Sequence, residues 1–199
     1  MDIFAAAGLD KPDLSILSDE FLEEIRNLPQ KNLALELMRR LLNGRIRYIA
    51  EKNVVQAKKF SEMLEASVIQ YQKRSLETAE VIQALVDMAR DMNELSKRGE
   101  RLGLSDDELA VYDAISSNES AREFYENEVL KQIARELTIS VKKNIKVDWN
   151  IRESVRAQMR ITIKRLLRKY KYPPDKQAAA VDLIMEQAEK MCENEVNEI

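Results

Sequence analysis

Scarcity of chain-breaking residues is the feature that most limits what this chain can fold into. The 199 residues include only four glycines and four prolines, and neither type occurs between Val54 and Lys97. In that stretch apolar residues such as Phe60, Leu64 and Val68 recur at spacings of three and four, which is the period of an amphipathic helix. So few breakers and this helical period predict an all-α protein.

The predicted architecture is a multi-helix bundle of about six to eight helices. One of them is a long helix at about 54–97, which would measure about 66 Å at 1.5 Å per residue. Because this exceeds the usual span of a compact domain, the helix is expected either to bend or to project from the domain. Ser75 and Thr78 interrupt its apolar stripe midway and mark the expected bend.

Capping patterns mark where other helices begin. Ser105 with Glu108 has the spacing of a capping box, in which each side chain bonds the backbone N–H of the other residue. The same spacing recurs in Ser120 with Glu123 and in Asn150 with Glu153. Residues 1–17, which include Gly8 and Pro12, look irregular, and we expect them to be a linker from an absent upstream domain. The helical domain is then 18–199, and its C-terminal helices lie at 105–196.

Composition excludes several kinds of active site. The chain has no histidine and one cysteine, Cys192, so it cannot form a Ser–His–Asp or Cys–His nucleophile pair, an internal disulfide or an ordinary zinc site. Neither a phosphate-binding loop nor a dinucleotide-binding glycine pattern occurs. We expect no catalytic residue, metal site or cofactor site in this segment. A signal-peptide pattern and an apolar run of transmembrane length are also absent, which favours a cytoplasmic location without membrane contact.

Charge is concentrated in one part of the chain. The net charge is −3, yet the segment from Lys142 to Lys176 carries twelve basic residues against three acidic ones, a local balance of +9 that leaves −12 for the remainder. Within a basic helix expected at 151–172, cations recur at every fourth position. This cationic ladder consists of Arg152, Arg156, Arg160, Lys164 and Arg168. An apolar ridge runs beside it, made of Ile151, Val155, Met159, Ile163 and Leu167.

The ladder needs negative partners. Cations four residues apart on a helix repel each other, at a cost of a few tenths of a kcal/mol per pair. The partners could be the phosphates of duplex DNA, the surface of another protein or acidic helices of this chain. Three nearby aromatic residues, Trp149, Tyr170 and Tyr172, could stack on bases or pack within the protein. The residues alone leave these alternatives open.

Three long stretches closely resemble one protein family. They are GLDKPDLSILSDEFLEEIRNLPQKNLALELMRRLLNGRIR, FSEMLEASVIQYQKRSLETAEVIQALVDMARDM and VRAQMRITIKRLLRKYKYPPDKQAAAVDLIMEQAE. Together they look like the C-terminal helical domain of the restriction (R) subunit of type I restriction–modification enzymes, and the likeness covers about residues 8–190.

The resemblance implies a role without an active site of its own. The R subunits of this family carry a nuclease domain and ATP- and Mg-dependent motor domains upstream of the helical region, and residues 1–17 would be the link from that motor. The helical region is associated with docking the motor subunit onto the core of methyltransferase (M) and specificity (S) subunits. Two alternatives are a module that contacts the DNA backbone through the basic helix at 151–172, and an unrelated helical protein-interaction adaptor.

Overall fold

A computed structural model of the chain describes residues 17–73, 76–117, 119–144 and 153–197. Within these ranges every regular element is a helix, which confirms the predicted all-α class. The nine described helices are α1 (Asp19–Arg26), α2 (Lys31–Ala50), α3 (Val54–Gln72), α4 (Thr78–Leu102), α5 (Asp106–Ser116), α6 (Glu119–Phe124), α7 (Asn127–Asn144), α8 (Glu153–Lys169) and α9 (Gln177–Asn197). The described part of the chain contains no helix that is both long enough and apolar enough to span a membrane.

The prediction of one long helix at about 54–97 is wrong, because the structure has two helices there, α3 and α4, separated by residues 73–77. Ser75 lies outside the described residues, and α4 begins at Thr78. The backbone N–H of Glu77 donates to the Glu80 side chain at 2.9 Å, which satisfies a donor at the start of a helix. The start of α4 thus interrupts the apolar stripe that the sequence shows between 54 and 97. With this additional break, the described helices number nine instead of the expected six to eight.

The predicted capping boxes have different outcomes. Ser105 and Glu108 form the complete box, since the Ser105 hydroxyl accepts from the Glu108 N–H at 3.3 Å and the Glu108 carboxylate accepts from the Ser105 N–H at 2.9 Å. Near the second pair, α6 begins at Glu119, one residue before Ser120. Asn150 of the third pair lies outside the described residues.

The described residues form two compact units. The first contains the chain up to Ile49 together with Ala57–Arg98, and the second contains Ala50–Gln56 together with the chain from Gly99. The predicted linker at 1–17 lies outside the described residues except for Leu17, which is buried. The proposed division into a linker and a helical domain therefore stays a prediction.

In the first unit, polar contacts join α1 to α4. The Arg90 guanidinium lies 2.9 Å from a carboxylate oxygen of Asp19 and 3.0 Å from one of Glu23. Asn93 donates from its side-chain amide to the Leu17 carbonyl at 2.6 Å. These contacts fix the start of α1 against the middle of α4, above buried Leu22 and Ile25 of α1 and Val81, Ile82, Leu85 and Val86 of α4.

In the second unit, α5 is the central helix. All eight residues from Leu109 to Ser116 are buried, as expected for a helix surrounded by others rather than one lying on the surface. It contacts α6, α7 and α9, and α8 packs against both α7 and α9. The resulting core extends from Leu104 to Cys192, and it includes Ile133, Leu137 and Ile163.

A buried polar network attaches Ala50–Gln56 to this core. The Gln187 side chain is 0% exposed. Its amide nitrogen donates to the Lys52 carbonyl at 2.8 Å and its amide oxygen accepts from the Val54 N–H at 3.0 Å. Asn53 caps α3 by accepting from the Gln56 N–H at 3.0 Å, and it donates to the buried carboxylate of Asp113 at 2.8 Å. The buried side chains of Gln187, Asn53 and Asp113 thus have the hydrogen-bond partners that buried polar groups require.

Candidate interaction surface

The cationic ladder lies on α8 and is divided by its contacts. Arg152 lies outside the described residues. Arg156 is half-buried and lies 2.6 Å from the Glu189 carboxylate, while Arg160 lies 2.6 Å from Asp182. Because both acids belong to α9, this part of the ladder joins two helices of the same unit.

The last two ladder positions have different surroundings. Lys164 and Arg168 are exposed, and neither side chain has a hydrogen-bond or ion-pair partner among the described residues. The same is true of Arg165, which lies between them and was not part of the predicted ladder. The structure thus places the four described members of the ladder in two different environments.

Helix geometry explains the division. Each residue advances about 100° around the helix axis, so Arg160 and Lys169, nine residues apart, project in opposite directions. Arg160 reaches α9, and Lys169 reaches Glu136 of α7 at 2.9 Å. The buried ridge fills one sector between these flanks. Lys164, Arg165 and Arg168 occupy the opposite, outward sector.

The predicted apolar ridge is confirmed where it is described. Met159, Ile163 and Leu167 are buried in the core of the second unit, and Val155 packs against that core half-buried. Ile151 lies outside the described residues. One face of α8 therefore contributes to the core, as an amphipathic helix should.

The aromatic residues near the ladder pack within the protein. Tyr172 is buried, and its hydroxyl donates to the Ile115 carbonyl at 2.7 Å. Burial, together with the nearby Tyr125, raises the pKa of Tyr172 to about 12. Tyr170 donates to the Glu136 carboxylate at 2.6 Å, which, with the bond from Lys169, lowers the pKa of Glu136. The third predicted aromatic, Trp149, lies outside the described residues.

Acidic and thiol groups show no arrangement suited to catalysis in the described part of the chain. Asp106 and Glu108 lie in the first turn of α5, where negative charge stabilises the helix N-terminus. Cys192 is buried in the core. Among the described residues, no group of three or more potential ligands could hold a metal ion.

Among the described residues of the second unit, three large apolar side chains are exposed that were not predicted from the sequence. Phe124 is 66% exposed, Ile139 58% and Ile161 57%. Ile161 belongs to the outward sector of α8, and its position could have been found because it lies opposite the apolar ridge in the helical period. No such periodicity identifies Phe124, which lies at the end of the short helix α6.

The comparisons with protein families and with curated proteins indicate the same family. The protein-family model described as "Type I restriction enzyme HindI endonuclease subunit-like, C-terminal" matches residues 1–194. The Type I restriction enzyme HindI endonuclease subunit of Haemophilus influenzae is 38% identical over 194 residues, which are 98% of this chain and 18% of that protein. The Putative type I restriction enzyme MjaIXP endonuclease subunit of Methanocaldococcus jannaschii is 33% identical over 170 residues, 85% of this chain and 16% of that protein.

The chain therefore spans less than a fifth of the length of the curated relatives it matches. No solved structure matches it. A match over nearly the whole chain excludes the alternative of an unrelated helical adaptor. The chain belongs to the family of C-terminal regions of type I restriction enzyme endonuclease subunits that are similar to the HindI subunit.

Proposed function

We propose that this chain is the C-terminal assembly domain of a type I restriction enzyme R subunit. It docks an ATP-dependent DNA translocase and endonuclease subunit onto the methyltransferase core of M and S subunits, in the cytoplasm, for the restriction of foreign DNA. The observation that carries the proposal is the family match over residues 1–194, since the matching family is defined by the C-terminal region of such subunits. ATP and Mg would act in the upstream domains of the parent protein.

The fold supports a binding role more than a chemical one. In the second unit, the described buried polar side chains Asn53, Asp113 and Gln187 hold a chain segment in place. The charged side chains of α8 and α9 join helices at the surface. A helical surface whose charged side chains are already paired suits recognition of another folded subunit, because fewer side chains must be ordered on binding.

Phe124 is the strongest candidate for an anchor in that contact. Its ring is 66% exposed and packs edge-on against Tyr125, with 4.9 Å between ring centroids. The Tyr125 hydroxyl donates to the Tyr170 carbonyl at 2.6 Å, so the supporting ring is itself fixed. Exposed aromatic side chains that are already held in position are typical of residues that dominate binding energy at protein interfaces.

The direct test is association without DNA. The 199-residue chain is mixed at about 10 µM with the purified M–S core of the same restriction system, a concentration at which a micromolar complex is largely formed. Sedimentation velocity in about 0.5 M NaCl suppresses exposed charge contacts. A co-sedimenting complex is expected. The proposal fails if the chain and the core sediment separately, or if the chain binds an unrelated M–S core equally well.

Two variants of α6 refine the test. Phe124→Ser removes the exposed ring, and we expect it to weaken association at least tenfold, as for an interface anchor. Glu123→Ser changes the neighbouring exposed residue, which has no partner among the described residues, and it should alter association less than about threefold. Equal affinities for both variants would remove Phe124 from the interface while leaving the assembly role to the association experiment.

A further inference from the structure

The outward sector of α8 presents three cations that the described part of the protein does not neutralise. We call Lys164, Arg165 and Arg168 the outer cationic face. All three are exposed, and none of their side chains has a hydrogen-bond or ion-pair partner among the described residues. Lys171, immediately beyond the helix, is a fourth exposed cation of the same kind.

Three acids on neighbouring helices pair with residues that lie outside the outer cationic face. Glu189 and Asp182 of α9 pair with Arg156 and Arg160. On the other flank, Glu136 of α7 accepts from both Lys169 and Tyr170. The acids that pair with α8 in the described part of the chain thus do so with cations outside the outer cationic face.

The pairing with α9 stops for a reason visible in its sequence. The contacts of Arg156 with Glu189 and of Arg160 with Asp182 show that α8 and α9 run antiparallel. Continuing in this direction places Lys164 level with the first turn of α9, whose sequence is QAAA and which contains no acidic residue. The fold therefore leaves the outer cationic face without an internal counter-charge from α9.

Stabilisation of the helix end accounts for only one of the three cations of this face. Cations in the last turn of a helix interact favourably with its dipole, which explains Arg168 and Lys169. The effect decays within that turn, so Lys164 and Arg165 gain little from it. Three like charges within five residues repel one another, and an external polyanion would relieve that repulsion.

We infer that the outer cationic face binds the phosphate backbone of duplex DNA without reading its sequence. Lys164 and Arg168 are separated by a rise of about 6 Å along the helix, which lets their long side chains reach neighbouring phosphates of one strand. Phosphate contacts by Lys and Arg carry no sequence information. Duplex DNA is the polyanion to test because the chain belongs to a family of restriction endonuclease subunits.

The experiment compares two triple variants of α8. The test variant is Lys164→Gln, Arg165→Gln, Arg168→Gln, and the control is Arg156→Gln, Arg160→Gln, Lys169→Gln. Each removes two arginines and one lysine from the same helix, so the loss of side-chain charge is equal. Only the control removes cations that are paired within the protein.

Affinity for two fluorescent duplexes of about 20 bp and unrelated sequence is measured by anisotropy with the 199-residue chain alone. KCl is varied between about 50 and 200 mM, and circular dichroism verifies that each variant is folded. Wild type should bind both duplexes equally, with affinity falling steeply as salt increases. The test variant should lose at least tenfold in affinity and about 2–3 from the magnitude of the salt slope, whereas the control should lose no more than about threefold.

Three results would overturn the inference. One is the absence of salt-sensitive binding by wild type, and another is an equal loss of affinity in both folded variants. The third is unchanged DNA binding by the test variant together with weaker association with the M–S core, which would assign the face to an acidic protein surface. Because the DNA titration contains no M or S subunit, its failure is distinguishable from failure of the assembly proposal.

Discussion

Replacing Gln187 with leucine tests the buried network that holds Ala50–Gln56. The substitution keeps a side chain of similar volume in a position that is 0% exposed. It removes the acceptor for the Val54 N–H and the donor for the Lys52 carbonyl. Both backbone groups are then left without their partner, which is more costly than removing a hydrogen bond together with both of its groups.

The expected loss follows from these two groups. Each unsatisfied buried polar group costs about 1–3 kcal/mol. Val54 is only half-buried and Lys52 is exposed, so water can partly replace the lost partners and the lower part of that range applies. Leucine is also more favourable to bury than an amide, which offsets roughly 1 kcal/mol. We expect Gln187→Leu to lower the free energy of unfolding by about 2 kcal/mol.

Urea unfolding followed by far-UV circular dichroism measures this loss, and amide hydrogen exchange locates it. Gln132→Leu is the matched control, because Gln132 is exposed on α7 and has no partner among the described residues. The control should change stability by less than about 0.5 kcal/mol. Protection of the Val54 amide should fall in the Gln187 variant. Equal stability of the two variants, with unchanged protection at Val54, would refute the structural role of the network.

Three other predictions concern the ends and the surface of α8. The pKa of Tyr172 is raised to about 12, so above about pH 10 the tyrosine loses its proton in the unfolded state before it does in the folded state. The free energy of unfolding should therefore fall by roughly 2 kcal/mol between pH 10 and 12, and this loss should be absent in Tyr172→Phe. Lys171 adopts a positive φ of 58°, so Lys171→Gly should raise stability by about 1 kcal/mol in thermal unfolding; an unchanged or lower midpoint would contradict this. Arg160→Gln should cost less than about 1 kcal/mol in urea, because its pair with Asp182 is exposed, and a larger loss would show that this contact is structural.

The helices were predictable because their signals are local. The capping box of Ser105 and Glu108 joins two residues only three positions apart, so it can form in any tertiary context that allows a helix to begin there. Gly103 is also a local signal for the end of a helix, because glycine readily adopts the positive φ of 65° found there. The Leu104 N–H donates to the Gly99 carbonyl at 3.0 Å, and this bond ends α4. Lys171 ends α8 in the same conformation, and no residue preference would have indicated it.

The buried network could be recognised only in part. Gln187 lies on the same stripe of α9 as Ala180, Ile184 and Ala188, which are buried, and a polar residue on an apolar stripe indicates a buried hydrogen bond. The identity of the partners is a different matter. Lys52 and Val54 are more than 130 residues away, and the sequence contains no local pattern that specifies so distant a contact.

The cationic ladder shows why a regular spacing does not define one surface. Positions four apart on an α-helix drift by about 40° per step, so Arg156 and Arg168 are separated by about 120° around α8. A side chain at one end of the ladder can therefore pair with a neighbouring helix while a side chain at the other end faces solvent, as the contacts of Arg156 and the exposure of Arg168 show. Where the change occurs depends on the neighbour, because α9 supplies Asp182 opposite Arg160 and only QAAA beyond it. The question of whether the ladder binds DNA or stabilises the fold therefore has two answers on one helix: Arg156 and Arg160 pair with α9, whereas the side chains of Lys164 and Arg168 are exposed and available to a partner.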